Sequence, residues 1–349
     1  MRPSLSVVLA GAIFIAGHPS DLLSQQSRYT LSGHEIAIYN LAGQFRVEAG
    51  TGNDVVVEVT RVGDDAAQLR VETGEIRGAN TLRVIYPGRR VVYADSRGTT
   101  NLSVREDGTF GGERGGGRHS SVRISSSGDG VEAHANIRVL VPSGRRLSLY
   151  LGAGKVDVTN VTTQLLVDVA SASVSARGVR GALMVDAGSG DVEIADATGD
   201  LMLDTGSGEV RVSGAKGGRH NIDTGSGSVN VTNMEGDRIV IDVGSGDVNV
   251  RGLKASDVRL DSGSGSIDAE LTGTVRDLIV DTGSGDVTLR LPKDFGAEVE
   301  IDTGSGSIRS SFPVTTQELK SDALRGRIGN GGTRLRIDTG SGSVQLLQL

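Results

Sequence analysis

The chain has no cysteine and no tryptophan, and aromatic residues make up only 3% of it. Without cysteine there can be no disulfide, no thiolate-held zinc or iron–sulfur cluster, no thiol nucleophile and no lipid-anchored N-terminal cysteine. So few flat side chains argue against a sugar-stacking platform and against an aromatic-rich interface. A concentrated basic surface is missing too. The formal net charge is −7, whereas a general nucleic-acid binder needs clustered positive charge. Beyond the N-terminus no run is long and apolar enough to be a transmembrane segment of the mature chain.

What is present in excess is glycine, 52 residues of 349, beside a hydrophobic share of 37%. That share is too high for a disordered linker, so glycine must punctuate structure. Residues 1–26 have the layout of an export signal. Arg2 gives a positive end, Leu5 to Gly17 carry no charge, and polar residues run from His18 to Gln26. The expected location is therefore exported: periplasmic, cell-surface or secreted.

One phrase recurs through the second half: hydrophobic, Asp, Thr or another small residue, Gly-Ser-Gly, Asp or Ser, then Val or Ile. Its aspartate falls at Asp186, Asp204, Asp223, Asp242, Asp261, Asp281, Asp302 and Asp338. The steps are 18, 19, 19, 19, 20 and 21 residues, then 36. The long step is two levels with one degenerate, or one level with an insertion. Weaker copies begin at Asp168 and Tyr150. Around each Gly-Ser-Gly the apolar residues alternate, as in Leu201, Leu203, Val210 and Val212, which predicts strand, tight turn, strand. Met234, Leu253 and Leu271 fall where a second corner would be plugged. One such strand pair cannot bury its own face; stacking equivalent strands about 4.8 Å apart buries all of them together. The predicted fold is an all-β, single-stranded parallel β-solenoid (β-helix), right-handed, with coils of about 18–21 residues.

Residues 27–140 are expected to form irregular coils of the same kind. Phe45, Val47, Gly50-Thr51-Gly52, Val55, Val57 and Val59 give one strand–turn–strand, and Leu82 with Val84 another strand. Residues 105–121 are Gly/Arg-rich and predict a flexible excursion. The regular solenoid then spans 141–349 with an insertion at about 312–332, in which Thr315 and Glu318 could open a short helix ending at Gly326. Either excursion could blunt an open end of the stack.

Val141-Pro142-Ser143-Gly144, the serial Asp-Thr-Gly-Ser-Gly-Asp/Ser-Val phrases and the closing Gly340-Ser341-Gly342-Ser343-Val344 together resemble a large bacterial putative adhesin family, long known as a domain of unknown function. The resemblance covers about residues 35–349. It implies a β-solenoid on an exported or envelope-associated protein, and it carries no catalytic residue.

Asp-Thr-Gly-Ser also spells the catalytic loop of aspartic proteases. Those enzymes face two carboxylates across a cleft, whereas copies every nineteen residues would line them up along one surface. Calcium is the other alternative. The candidate ligands are Asp186, Asp191, Asp204, Glu209, Asp242, Asp247, Asp281 and Asp286, although Ser228, Ser266, Ser307 and Ser343 replace the second acid elsewhere and the spacing departs from that of a calcium β-roll. The aspartate column needs no metal if each carboxylate accepts a backbone N–H of its own turn. The threonines Thr205, Thr224, Thr282, Thr303 and Thr339 then line the turn as small residues. His18, His34, His119 and His134 lie outside the repeats and His220 stands alone, so no nucleophile–base pair assembles. The expected function is a non-enzymatic, adhesin-like scaffold with no cofactor, meeting an envelope protein or polymer. A polysaccharide lyase or hydrolase on a β-helix is the alternative from another class, and a calcium-stabilised surface repeat protein is the third.

Overall fold

The computed structural model describes residues 24–112 and 118–349. Apart from one 3-10 turn at Ala66–Gln68, its regular structure is all strand, dominated by one 25-stranded, mostly parallel sheet. The export signal expected at 1–26 lies outside the described residues except for its last three, which open the strand Ser24–Leu31.

The repeats stack in register. Leu147, Leu165, Leu183, Leu201, His220, Ile239, Val258, Leu278 and Leu335 follow one another as parallel partners, and every one of them is buried. A second inward stripe runs from Leu149 through Val185 and Ile222 to Val280, and a third, beyond the Gly-Ser-Gly corner, from Val156 through Val210 to Val287. Period-two alternation puts one face of each strand inside, and the parallel register turns those faces into continuous apolar columns. Met234, Leu253 and Leu271 are each 0% exposed at the second corner. The result is β-solenoid-like.

At the Gly-Ser-Gly corner glycine serves closeness throughout and a left-handed backbone on some levels, where Gly190, Gly208, Gly227 and Gly246 have φ of +121°, +129°, +121° and +145°. A Cβ on Gly206 would lie 2.5 Å from the Gly188 carbonyl oxygen one level away, and one on Gly263 would lie 2.3 Å from that of Gly244. No side chain fits between levels there. At the second corner a different device appears. Asn160, Asp196 and Asn233 have positive φ, and so do Gly178, Gly214 and Gly252, which alternate with them level by level. A Cβ at Gly178 would meet Asn160 Oδ1 at 2.2 Å, one at Gly214 Asp196 Oδ1 at 2.8 Å, and one at Gly252 Asn233 Oδ1 at 2.7 Å. Each amide or carboxylate fills the space that only a missing side chain leaves on the next level.

Levels do not follow chain order at the far end. The strand Thr333–Thr339 pairs in parallel with Asp277–Thr282 on one side and Ala297–Thr303 on the other. Val344–Gln348 does the same between Val287–Leu291 and Ile308–Ser310. The final segment thus lies between two levels made before it. The insertion near 312–332 contains no helix. Val314–Leu319 and Ala323–Ile328 form an antiparallel hairpin, and the second strand covers the outer edge of Ala297–Thr303. Thr315 and Glu318 therefore sit in an edge strand, because the unpaired backbone of the last level offers a better partner than an isolated turn of helix.

The N-terminal region is likewise not a run of coils. Among its described residues only Glu35–Ala49 forms a level, pairing in parallel with Arg146–Thr159. Its other edge is taken by Ala79–Ile85 and His134–Val141, on which Arg70–Ile76 and Val55–Val62 lie antiparallel. Gly50-Thr51-Gly52 does join two strands, but the second, Val55–Val62, runs antiparallel to its sheet neighbours. Within the Gly/Arg-rich segment Phe110 is 3% exposed, its ring meeting Tyr39 and Tyr150 edge-on at 5.8 and 6.4 Å, and His119 to Ser121 open the strand His119–Ser125, so the described parts are not a loose excursion. Residues 113–117 lie outside the described residues.

Candidate functional site

Each first strand turns alternate side chains outward, and in register these make long surface columns. One is an aspartate ladder: Asp168, Asp186, Asp204, Asp223, Asp242, Asp261 and Asp281 are successive partners, followed in space by Asp338 and then Asp302. Tyr39 and Tyr150 hold the same position on the first two levels, stacked with centroids 4.4 Å apart. Gly112 donates its N–H to Asp168 Oδ2 at 3.2 Å, which closes that end of the ladder.

No hydrogen bond among the described residues has a ladder aspartate capping its own turn. At three corners that role falls to the residue that follows, whose hydroxyl points inward. Gly265 N–H donates to Ser262 Oγ at 2.8 Å, Gly285 N–H to Thr282 Oγ1 at 3.2 Å and Gly342 N–H to Thr339 Oγ1 at 3.0 Å. In return Ser262, Thr282 and Thr339 donate to glycine carbonyls of the adjacent level. Thr205 donates to Thr224 across levels at 2.9 Å. Strand alternation explains the exchange of roles, since an Asp facing solvent points away from the corner it precedes.

The second acids lie beyond the corner and bind backbone between levels. Asp191 Oδ1 accepts the Glu209 N–H, Asp247 Oδ1 that of Ser266 and Asp286 Oδ1 that of Ser343, at 3.1, 2.9 and 2.7 Å. Glu209 also accepts from Asn230 Nδ2. The calcium candidates therefore form two lines separated by the corner: Asp186, Asp204, Asp242 and Asp281 in one, Asp191, Glu209, Asp247 and Asp286 in the other. Among the described residues no three His, Asp or Glu side chains gather as a metal site. Nor do two ladder carboxylates face each other across a cleft. His220 is buried in the core column with its ring Nε2 3.0 Å from the Glu235 carbonyl, His134 packs on Tyr93, His34 lies in the bend before Glu35–Ala49, and His119 opens the strand His119–Ser125.

Stacked like charges have a titration consequence. Partial burial, and after it the neighbouring carboxylates, hold Asp186, Asp223 and Asp281 above the ordinary range. Asp223 feels both Asp242 and Asp204. A carboxyl whose folded pKa is raised binds protons more readily when folded, so its repulsion opposes folding at neutral pH and fades as pH falls through that pKa. Asp107 and Asp268 are shifted the opposite way by their hydrogen-bonding and basic partners, and their contribution is lost only at lower pH. The ladder should therefore oppose folding less as the pH falls from neutral toward the carboxylate range, while His134, held low by burial, works the other way. The advantage of removing a ladder charge should accordingly shrink with falling pH. Asp223→Asn should raise stability at pH 7 by about 0.3–0.8 kcal/mol, less at high salt. Thermal melts across pH and salt check both; a lower melting temperature for Asp223→Asn at low salt would show that the ladder is not repulsive.

Two residues before the ladder on each strand runs a column that alternation predicts to be polar but that is apolar at Leu166, Met184, Met202 and Val240. Ser148, Leu166, Met184, Met202, Asn221, Val240 and Arg259 are successive partners. Met184 and Met202 are 43% and 46% exposed. The signal is present in the sequence as Leu165-Leu166-Val167, Leu183-Met184-Val185, Leu201-Met202-Leu203 and Ile239-Val240-Ile241, in which an apolar residue stands at the outward place. Longer side chains wall this stripe, and the resulting groove encloses about 730 Å³ with Arg146, Asp200, Arg219 and Arg238 among its lining residues. On the opposite side stands the ladder. Along the groove Asp186, Asp204, Asp223 and Asp242 make no ion pair among the described residues, whereas Asp261 is paired with Arg259 at 2.9 Å and Asp302 with Arg325 at 3.2 Å. The apolar stripe stops at Arg259, where the ladder acquires its own basic partner.

These features define a β-solenoid-like repeat protein with one grooved, acid-bordered face. The Toastrack DUF4097 family model matches residues 132–347, and the chain belongs to that family, a domain of unknown function. Three solved structures align over most of their length. A putative adhesin from Parabacteroides distasonis shares 11% identity over 93% of this chain and 98% of its own, with a TM-score of 0.41. A putative adhesin from Bacteroides fragilis shares 10% over 95% and 100%, at 0.34. A putative cell adhesion protein from Clostridium sporogenes shares 8% over 93% and 100%, at 0.22. No curated protein matches the chain. Among the described residues no helix is long and apolar enough to cross a membrane.

Proposed function

We propose that the protein is a non-enzymatic, exported, adhesin-like scaffold whose grooved face holds an envelope or extracellular partner. The observation that carries this reading is the pairing of exposed Met184 and Met202 with a run of aspartates of which Asp186, Asp204 and Asp223 make no ion pair among the described residues. Exposed apolar surface in a concave setting marks an interaction site, and unpaired charge along its border supplies selectivity. A lyase or hydrolase acting on anionic polysaccharide is the second reading: Arg146, Arg219 and Arg238 line the groove, but the aspartate ladder beside it would repel such a chain.

Fractionation of the native cell followed by crosslinking tests the reading. The expected result is recovery outside the cytosol with a crosslinked partner that is lost in Met202→Glu. Recovery in the cytosol alone, with cytosolic partners only, would overturn it. Turnover of anionic polysaccharide by the purified chain would favour the enzyme instead.

A further inference from the structure

The groove constrains the chemistry of what fills it. It lies on a sheet face, where every strand's backbone is already paired to its neighbours above and below. An occupant laid there gains no backbone hydrogen bonds from the protein and must satisfy its own. An extended peptide would bury unpaired N–H and C=O groups against Met184 and Met202, while a helix arrives with its backbone satisfied. A glycan would meet a floor of leucine, methionine, Asn221 and valine with no Phe, Tyr or Trp face among the lining residues. From Leu166 to Val240 the stripe crosses four level steps, about 19 Å at the usual strand spacing. That length matches about 13 residues of α-helix, whose pitch of about 5.4 Å brings one apolar side chain per turn close to one level.

Charge then fixes the flanks. One border carries Asp186, Asp204, Asp223 and Asp242 without ion-pair partners among the described residues. The other border is basic: Arg146 is held by Glu35 at 2.5 Å and Arg219 by Asp200 at 3.4 Å, and Arg238 has no carboxylate partner among the described residues, so only the ladder side can take a cationic flank. We propose that the groove receives a cationic amphipathic helix of three to four turns, its apolar stripe on Leu166, Met184 and Met202 and, past Asn221, on Val240, with its lysines or arginines along the aspartate ladder. This rests on the reading of the groove as the binding face and names the partner's chemistry. Helix-in-groove recognition uses anchors at i, i+3, i+4 and i+7, and the lysine flank would relieve the repulsion among the ladder carboxylates.

The test uses the full chain and a labelled synthetic 14-residue helix, with leucines at i, i+3, i+4, i+7 and i+11 and lysines on one flank, read by fluorescence anisotropy. Binding is expected to weaken at least tenfold with Met202→Glu and several-fold with Asp204→Asn/Asp223→Asn, which should also flatten the salt dependence. Asn249→Ala, on the second-strand face, should leave binding unchanged. Thermal melts of each variant separate loss of fold from loss of contact. Equal binding of a peptide with glutamates in place of the lysines, or no effect of Met202→Glu, would overturn the proposal. So would a wild-type dimer in sedimentation that Met202→Glu abolishes, since the occupant would then be a second copy. If Met202→Glu removes the cellular crosslink while the peptide fails to bind, the helix is wrong and the binding face stands. If Met202→Glu changes neither, both fall.

Discussion

Gly265→Ala is expected to destabilise the protein by about 3 kcal/mol or more, the scale of severe overpacking. A Cβ there would lie 1.8 Å from the Gly246 carbonyl oxygen, 2.3 Å from its carbon and 2.9 Å from the Asp247 nitrogen. All three are backbone atoms of the adjacent level, fixed by the ladder that runs the length of the stack, so no side chain can swing aside. Gly265 is not among the glycines with positive φ, and the cost is therefore steric rather than conformational. Gly52→Ala provides the contrast: φ is +87° and nothing lies within 4 Å, so only the backbone preference is lost, about 1 kcal/mol. Chemical denaturation of both variants checks the difference. Equal midpoints would mean that the levels part easily and that glycine serves some other purpose at the corner.

Removing residues 333–349 should have a larger effect, confined to one end. The segment buries Leu335, Ile337, Val344 and Leu346, each at most 1% exposed. At about 1.5–3 kcal/mol per buried aliphatic side chain, the loss rivals the whole stability of an ordinary domain, about 5–15 kcal/mol. It would also leave the facing edges of Asp277–Thr282 and Ala297–Thr303 without a strand between them. Stacked repeats are held by nearest neighbours, so levels before Leu271 should survive while those after it open and aggregate. Limited proteolysis with mass mapping should show a resistant core ending between about residues 271 and 291. A truncated chain as resistant as the intact one would show that the two separated levels close directly on each other.

The regular stack was legible because its code is local. An apolar alternation and a two-glycine corner recur at nearly fixed intervals, and parallel register follows once each unit is too small to bury its own face. Both ends were not legible, for a shared reason. Whether Thr333–Thr339 continues beyond Ala297–Thr303 or lies inside it depends on which edges compete for it, and no residue within the strand records that choice. The same holds for Val55–Val62, whose alternation fits a parallel coil as well as the antiparallel pairing it makes. At the site, the aspartate periodicity was plain, but its role was misread by one position: the inward hydroxyls of Ser262, Thr282 and Thr339 cap the corner, and the outward carboxylates make a charged ridge. The groove could have been found from its four apolar triplets, which break the alternation on the outward side. They read as ordinary strand because apolar runs suit β-structure whichever way they face.

The alternation at the second corner limits how a protein of this kind can change length. Asn160, Asp196 and Asn233 each project into the next level, where Gly178, Gly214 and Gly252 stand. A duplicated unit carrying the bulky residue, set directly after its parent, would drive a side chain into an occupied site. A duplicated unit carrying glycine would not. Growth or loss in steps of two keeps every such contact intact, so the array has a built-in parity, and its natural currency of insertion is the pair rather than the single turn.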